Sequence, residues 1–208
     1  VDGKRPSIWD EACRTGKVRG GVRSLDAIDA FHHLDEDLDL IAALGVTANR
    51  FSINWTRVFG DGRGPWNEAG AAYYDRLIDG CLARSIEPWV TVHHWDLPLA
   101  LQREGGWLRR GIVDDFARFA EEVARRWGDR VKHLMVMNEP MSIMGHTAIG
   151  VYTSSGLHPL EALQTMHHLN LACAEGGRRM RQVLPDDAEI GTTNVFLLSH
   201  PYDAEGRH

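Results

Sequence analysis

The triplet Asn138-Glu139-Pro140 has the clearest capacity for chemistry in this sequence. A carboxyl group at the end of a strand can act as a general acid or base toward a bound substrate. Asn138 offers both a hydrogen-bond donor and an acceptor, which suits a sugar hydroxyl group. Proline disfavours the α conformation in the residue before it, so we expect β or polyproline geometry at Glu139. Taken alone, the triplet is more typical of an exposed glutamate before a loop.

Polar residues also end the two predicted strands that precede this triplet. Residues 50–55 alternate polar and apolar side chains, which places the polar side chains on one face of a strand. Residues 93–96, with the sequence His-His-Trp-Asp, close the next predicted strand. Polar groups at the C-terminal ends of several parallel strands are typical of barrel enzymes. An open doubly wound sheet binds its ligand mainly at one switch point.

The elements that must position these residues alternate between helix and strand. Apolar residues at spacings of three or four predict helices, and nearly continuous apolar runs predict strands. The predicted order is helix 26–44, strand 46–55, helix 68–85, strand 86–95, helix 112–127, strand 131–138, helix 160–183 and strand 188–198. This order implies right-handed crossovers and a parallel sheet. It fits both a doubly wound sheet and a barrel. The polar residues at the strand ends favour the barrel, and so does the first predicted strand, because the GxGxxG motif of a dinucleotide-binding sheet does not follow it.

Composition and charge exclude several classes of protein. The 208 residues are 43% hydrophobic and 25% charged, which is ordinary for a globular domain and excludes disordered and fibrous chains. A formal charge of -6 without a basic block argues against a nucleic-acid partner. No apolar run reaches the roughly 18 residues of a membrane span, and no signal-peptide region opens the sequence. The cysteines at 13, 81 and 173 are few and widely spaced, so we expect a reducing, cytoplasmic location.

Five ordered motifs carry a resemblance to a known family. They are residues 6–10 (PSIWD), 50–57 (RFSINWTR), 91–98 (TVHHWDLP), 106–107 (GW) and 136–140 (VMNEP). In this order and at these spacings they resemble glycoside hydrolase family 1, the β-glucosidase and 6-phospho-β-glycosidase family. The resemblance extends over essentially the whole chain. It implies an α/β fold of the (β/α)8 TIM-barrel type, hydrolysis of terminal β-glycosides with retention of configuration, and no metal, nucleotide or other cofactor.

The resemblance assigns roles to five residues. Glu139 corresponds to the general acid/base, and Asn138 to the residue that hydrogen-bonds the 2-hydroxyl group of the sugar. His94 and Trp95 correspond to a pair that binds the glycone, the sugar on the non-leaving side of the bond. Arg50 corresponds to the arginine that keeps the nucleophilic carboxylate ionised. Each assignment has a structural alternative: a buried core histidine at 94, a packing tryptophan at 95 and an ion-pair partner at 50.

The sequence lacks parts that the family possesses. Retaining hydrolysis needs a second carboxylate as nucleophile, and the TENG-like motif that supplies it in the family does not occur here. Four strands are predicted, against the eight of a complete barrel. We therefore expect residues 1–208 to form a single partial barrel domain that contains strands two to five of the family's eight. The open edges of such a domain predict self-association.

Three functions stay open at this point. The first is a β-glucosidase acting on β-linked glucosides or oligosaccharides, and the second is a 6-phospho-β-glycosidase. The absence of a basic cluster near Glu139 in the sequence favours the neutral sugar. The third is a non-catalytic half-barrel that binds sugar or assembles with a partner. The retained Glu139 and Asn138 favour a catalytic ancestry, whereas the missing nucleophile fits the third function equally well.

Overall fold

Strands and helices alternate along the chain, because apolar runs and one-faced apolar helices follow each other in the sequence. The computed structural model describes residues 3–18, 28–150 and 156–196. The strands are β1 (Ala48–Ser52), β2 (Glu87–His93), β3 (His133–Asn138) and β4 (Glu189–Thr193). The helices are α1 (Ile8–Arg14), α2 (Leu34–Ala43), α3 (Trp55–Val58), α4 (Glu68–Ala83), α5 (Leu99–Arg103), α6 (Ile112–Trp127), α7 (Pro140–Ala148) and α8 (Pro159–Arg181), with a 3-10 turn at Gly106–Leu108.

The four strands lie side by side in chain order, and every neighbouring pair is parallel. Helices α4, α6 and α8 lie in the crossovers between consecutive strands. Among the strands that the structure describes, the order shows no reversal of the kind that defines a doubly wound sheet. A barrel requires this sequential order. The chain therefore has the architecture of a partial (β/α) barrel, with about four of its eight strands.

The predicted strand 46–55 is too long at both ends. The observed strand β1 is shorter, and Trp55 begins helix α3 instead of continuing the strand. The side chain of Asn54 caps this helix, because its Oδ1 atom accepts a hydrogen bond from the Arg57 backbone N–H at 3.0 Å. The alternation of polar and apolar faces predicted for residues 50–55 therefore applies only within β1.

The predicted helix 26–44 begins later in the structure, where α2 starts at Leu34. Its first two predicted residues lie outside the described residues. Asp29 has a φ angle of 52°, a left-handed conformation that a right-handed helix does not contain. The apolar spacing predicted too early a start for this helix because it included Phe31. Phe31 lies outside the helix, with its ring stacked on Tyr73 at a centroid distance of 5.0 Å. The predicted helix 112–127 agrees with α6. The predicted strand 188–198 is too long, because β4 ends at Thr193 and residues 194–196 do not belong to a strand; residues 197–198 lie outside the described residues.

Aromatic side chains of α3 and α6 form the core beneath the loops that carry the polar strand ends. Trp55 stacks on Phe119 with centroids 4.8 Å apart and planes 4° apart, and it meets Phe116 edge-on at 5.8 Å. The indole N–H of Trp127 donates a hydrogen bond to Asp75 Oδ1 at 2.8 Å. Such ring pairs contribute about 0.5–1.5 kcal/mol each beyond the area that they bury. This core fixes α6 and the turn after β1 relative to each other.

The sheet ends at β1 and β4, whose residues are more exposed than those of the two central strands. An edge strand presents unpaired backbone groups to whatever lies beside it. Self-association through these two edges stays a prediction. In the part of the chain that the structure describes, no helix is both long and apolar enough to cross a membrane.

Candidate active site

Arg50 of β1 connects all four strands near their C-terminal ends. Its Nη2 atom donates hydrogen bonds to Asn138 Oδ1 at 2.7 Å and to Thr193 Oγ1 at 3.1 Å. Its Nε atom donates to Thr91 Oγ1 at 3.0 Å. Parallel strands bring their C-terminal ends to one edge, so a long side chain on β1 reaches β3 and β4. The Arg50 guanidinium group thus fixes the orientation of the Asn138 carboxamide.

Trp95 joins the loop after β2 to the end of β3. Its indole N–H donates a hydrogen bond to the backbone carbonyl of Asn138 at 2.8 Å. Indole has a single hydrogen-bond donor, so in this structure that donor is used within the protein. Trp95 has a φ angle of 76°, which is unusual for a bulky residue and turns the chain sharply after His94. This turn brings residues 94–95 beside Asn138 and Glu139.

Glu139 has a left-handed backbone, with φ 47° and ψ 69°, so the predicted β or polyproline geometry is wrong. Its backbone N–H donates to the Thr193 carbonyl at 2.8 Å, which holds the residue at the sheet edge while Pro140 begins α7. A non-glycine residue in this region stores about 1–3 kcal/mol of strain, a feature that clusters at functional sites. The Ser142 hydroxyl donates to Glu139 Oε2 at 2.9 Å and holds the carboxylate over the first turn of α7.

His94 is exposed, so the alternative of a buried core histidine is wrong. Its pKa is lowered from the usual 6.5, mainly because neighbouring protein atoms remove part of its hydration. The positive charge of Arg50 lowers this pKa further, and the carboxylate of Glu139 opposes the change. The imidazole is therefore neutral at neutral pH and offers one donor and one acceptor. The imidazole ring of His94 lies 5.5 Å from the ring of Trp95, centroid to centroid, which places it beside the same strand ends.

The structure brings together all five residues that the motifs single out. Arg50 and Trp95 both bond to Asn138, Glu139 follows it directly, and His94 is electrostatically coupled to two of the others. A carboxyl group, an amide and an imidazole on one edge can donate and accept protons and bind hydroxyl groups. Within the described residues, no group of three or more histidine, cysteine, aspartate or glutamate side chains is arranged to hold a metal ion.

Two residues beneath this edge, His93 and Asp96, are buried and titratable. Burial lowers the pKa of His93 to about 3 and raises the pKa of Asp96 to about 7. Nearby backbone N–H groups, including that of Trp55, and the charge of Lys4 oppose the change at Asp96. Both side chains are therefore uncharged in the folded chain between these two pH values.

The buried carboxyl group of Asp96 is expected to make stability depend on pH. Because its pKa is raised from 3.8 to about 7, the folded chain keeps a proton that the unfolded chain releases. We compare the unfolding free energy of the wild type with that of Asp96→Asn, which cannot titrate at this position. The wild-type value minus the variant value is expected to fall as pH rises from about 4 to about 7, by at most about 1.4 kcal/mol per pH unit. Urea unfolding of both proteins across this range measures the difference. A difference that is constant with pH would contradict the expectation.

Sequence reasoning missed three hydroxyl groups that orient the site. Thr91 and Thr193 accept the hydrogen bonds of Arg50, and Ser142 donates to Glu139. The threonines carry no local signal, because strand register alone decides which side chains meet. Ser142 could have been found, since a serine three residues after Glu139 lies one helical turn away once Pro140 is taken as the helix start.

Three comparisons relate this fold and site to known proteins. Residues 1–207 match the family model described as Glycosyl hydrolase family 1. A β-glucosidase from Agrobacterium sp. is 44% identical over 187 residues, which cover 89% of this chain and 41% of that protein. An aryl-phospho-β-D-glucosidase from Bacillus subtilis is 39% identical over 210 residues, which cover 97% of this chain and 44% of that protein.

A comparison with solved structures gives relatives of the same kind. The structure of a β-glucosidase from Thermotoga maritima in complex with glucoimidazole has a TM-score of 0.93 and 35% sequence identity to this chain. The match covers 98% of this chain and 47% of that structure. The chain therefore spans less than half the length of the relatives that it matches.

Proposed function

Since the chain belongs to glycosyl hydrolase family 1, we propose that it forms the acid/base half of a retaining β-glucosidase site. Glu139 is the general acid/base in this proposal, and the nucleophilic carboxylate comes from sequence outside the 208 residues. Residues 1–208 form one partial barrel domain, and β1 to β4 take positions two to five of the eight strands. The proposed substrate is a β-linked glucoside or oligosaccharide.

The proposed reaction needs two carboxyl groups and water. In the first step, the nucleophile attacks the anomeric carbon while the protonated carboxyl group of Glu139 gives its proton to the departing glycosidic oxygen. In the second step, the Glu139 carboxylate takes a proton from water as the water oxygen displaces the nucleophile. Asn138, His94 and the ring of Trp95 bind the glycone, and Arg50 orients Asn138 and faces the nucleophile.

The observation that carries the proposal is the convergence on Asn138. The Arg50 guanidinium group donates a hydrogen bond to its Oδ1 atom at 2.7 Å, and the Trp95 indole N–H donates one to its backbone carbonyl oxygen at 2.8 Å. Glu139 is the next residue in the chain. An isolated exposed glutamate before a loop would need no such support. Arg50 of β1 instead orients the side chain of Asn138, and Trp95 in the loop after β2 bonds its backbone carbonyl, which is the preorganisation that a binding site requires.

A 6-phospho-β-glycosidase is the second candidate, supported by the aryl-phospho-β-D-glucosidase of Bacillus subtilis, which matches 97% of this chain. The two candidates share the acid/base and differ in a group that recognises phosphate. A non-catalytic half-barrel that binds sugar is the third outcome. We also propose a cytoplasmic location, supported by three free cysteines, Cys13, Cys81 and Cys173, which fit a reducing compartment.

The test uses the chain alone and a completed barrel, defined as this chain joined to the part of the Agrobacterium β-glucosidase that it does not match. Each protein is given 4-nitrophenyl β-glucoside and its 6-phosphate, and the first-formed sugar is observed by proton NMR before mutarotation. We expect turnover by the completed barrel, preference for the neutral glucoside, and release of the β-anomer. Preference for the phosphate favours the second candidate. Sugar binding by a folded completed barrel without turnover, or first release of the α-anomer, contradicts the proposal.

A further inference from the structure

His93 and Asp96 leave polar atoms without partners in the protein interior. Both ring nitrogens of His93 and the Oδ2 atom of Asp96 are buried and have no hydrogen-bond partner among the residues that the structure describes. A buried polar group without a partner destabilises the folded protein, because it gives up its hydrogen bonds to water and gains none in return. The two side chains face each other, with His93 Nδ1 and Asp96 Oδ1 3.8 Å apart. A movement of roughly 1 Å brings these atoms to hydrogen-bond distance.

The surroundings of His93 are aromatic. The rings of Trp55, Trp107 and Phe116 lie at centroid distances of 5.9, 5.6 and 5.9 Å from its imidazole. These rings pack against the imidazole and give its nitrogen atoms no hydrogen-bond acceptor. The carboxyl group of Asp96 is therefore the natural partner of this histidine.

The pair flanks the two site residues of the same loop, because His93 precedes His94 and Asp96 follows Trp95. The neighbouring segment is also fixed: Leu97 accepts a hydrogen bond from the backbone N–H of Ile8 at 3.0 Å. The turn at Trp95, with its left-handed backbone and its indole bond to Asn138, therefore lies between the side chains of His93 and Asp96.

We propose that His93 and Asp96 are a positioning pair for the candidate site: a hydrogen bond between them fixes the turn at Trp95, and Trp95 fixes Asn138. In its closed form the carboxyl O–H of Asp96 donates to a ring nitrogen of neutral His93, and no net charge is buried. The inference rests on the proposed function only in taking Asn138 and Glu139 as the positioned groups.

The protonation states described above support an uncharged pair between pH about 3 and about 7. The charged and titratable groups that act on the pair from neighbouring segments are Lys4, Tyr74 and His94, and Lys4 is itself paired with Asp10 at 2.6 Å. Above pH about 7 Asp96 is a carboxylate, which can accept a hydrogen bond from the N–H of neutral His93 instead of donating one. The pair is therefore expected to keep a hydrogen bond on both sides of this pH.

The test measures solvent exchange of the Trp95 indole proton in the full 208-residue chain by NMR. The chain has seven tryptophans, and the Trp95→Phe variant identifies the signal. At pH 6 we expect exchange to become at least tenfold faster in His93→Phe and in Asp96→Ala, with little further change in the double variant. His168→Phe is the matched control, because His168 is a buried histidine whose ring nitrogen already pairs with the Trp107 carbonyl at 2.8 Å. It is expected to lower the melting temperature and to leave Trp95 exchange within twofold.

Unchanged exchange in both single variants, independent effects in the double variant, or an equal effect of His168→Phe would overturn the proposal. If the variants do not fold, the wild type decides: at pH 6 the unprotonated ring nitrogen of His93 should show the ¹⁵N chemical shift of a hydrogen-bonded acceptor, and the shift of a nitrogen without a donor refutes the pair. Hydrolysis is measured separately. If the variants show these exchange effects but the folded completed barrel does not hydrolyse the substrate, only the proposed function is refuted. If the completed barrel hydrolyses the substrate but the variants show no exchange effects, only the pair is refuted.

Discussion

Replacement of Glu139 by glutamine in the completed barrel is expected to lower kcat by about 10²- to 10⁴-fold for alkyl β-glucosides, whose leaving groups need a proton. Glutamine keeps the size of the side chain and can still accept the hydrogen bond from Ser142. It cannot donate a proton to the glycosidic oxygen. For 2,4-dinitrophenyl β-glucoside, whose leaving group departs without protonation, we expect a much smaller loss in the first step.

The measurement is a series of glucosides ordered by leaving-group pKa, assayed with the wild type and with Glu139→Gln. The slope of log kcat/KM against leaving-group pKa should become steeper in the variant. Glu36→Gln is the matched control, because Glu36 is exposed on α2, where its carboxylate contacts the imidazole of His33 at 3.1 Å. Equal small losses for good and poor leaving groups would rule out Glu139 as the acid.

Removal of the Arg50 guanidinium group has the second large expected effect. Arg50→Met keeps much of the side-chain length but removes the hydrogen bonds to Asn138, Thr91 and Thr193. The carboxamide of Asn138 then loses its fixed orientation in a site where a small misplacement costs about 10²-fold in rate. We expect kcat/KM of the completed barrel for 4-nitrophenyl β-glucoside to fall by about that factor.

Steady-state kinetics and thermal unfolding of the same samples separate this effect from a loss of stability. Arg84→Met is the control, since Arg84 makes a surface ion pair with Asp39 at 2.6 Å. Arg84 caps the C-terminal end of α4 just before the N-terminal end of β2, whereas the candidate site lies at the C-terminal ends of the strands. Surface pairs of this kind contribute at most about 1 kcal/mol. If both variants lose activity equally, or if Arg50→Met retains wild-type kcat/KM, the assigned role of Arg50 is wrong.

The sequence predicted the fold well where one pattern acts alone. Helix α6 agrees with its predicted bounds because residues 112–127 carry an uninterrupted apolar stripe. The pattern failed where a side-chain contact decides the local structure. Asn54 caps a helix inside a predicted strand, and Phe31 continues the apolar spacing of a predicted helix but lies outside that helix and packs on Tyr73. Local spacing does not reveal such choices, since they depend on contacts distant in the chain.

The sequence identified which residues lie at the candidate site, but it did not predict their backbone conformation or hydrogen bonds. The motifs named Arg50, Asn138 and Glu139 correctly as neighbours, because parallel strands bring their C-terminal ends together. The left-handed backbone of Glu139 was not predictable, since the rule for residues before proline describes local clashes alone. In the folded chain a bond to the carbonyl of Thr193, on another strand, holds that backbone in place.

The most direct test of the central claim, that Glu139 is the general acid/base, is rescue of Glu139→Ala by azide in the completed barrel. Azide attacks the anomeric carbon of the glycosyl-enzyme and displaces the nucleophilic carboxylate without needing a base to remove a proton. With 2,4-dinitrophenyl β-glucoside, the account predicts that azide accelerates turnover of the variant and yields the β-glucosyl azide, while the wild type is unaffected. A folded, sugar-binding Glu139→Ala variant that azide does not accelerate, or that forms no glycosyl azide, would contradict the claim.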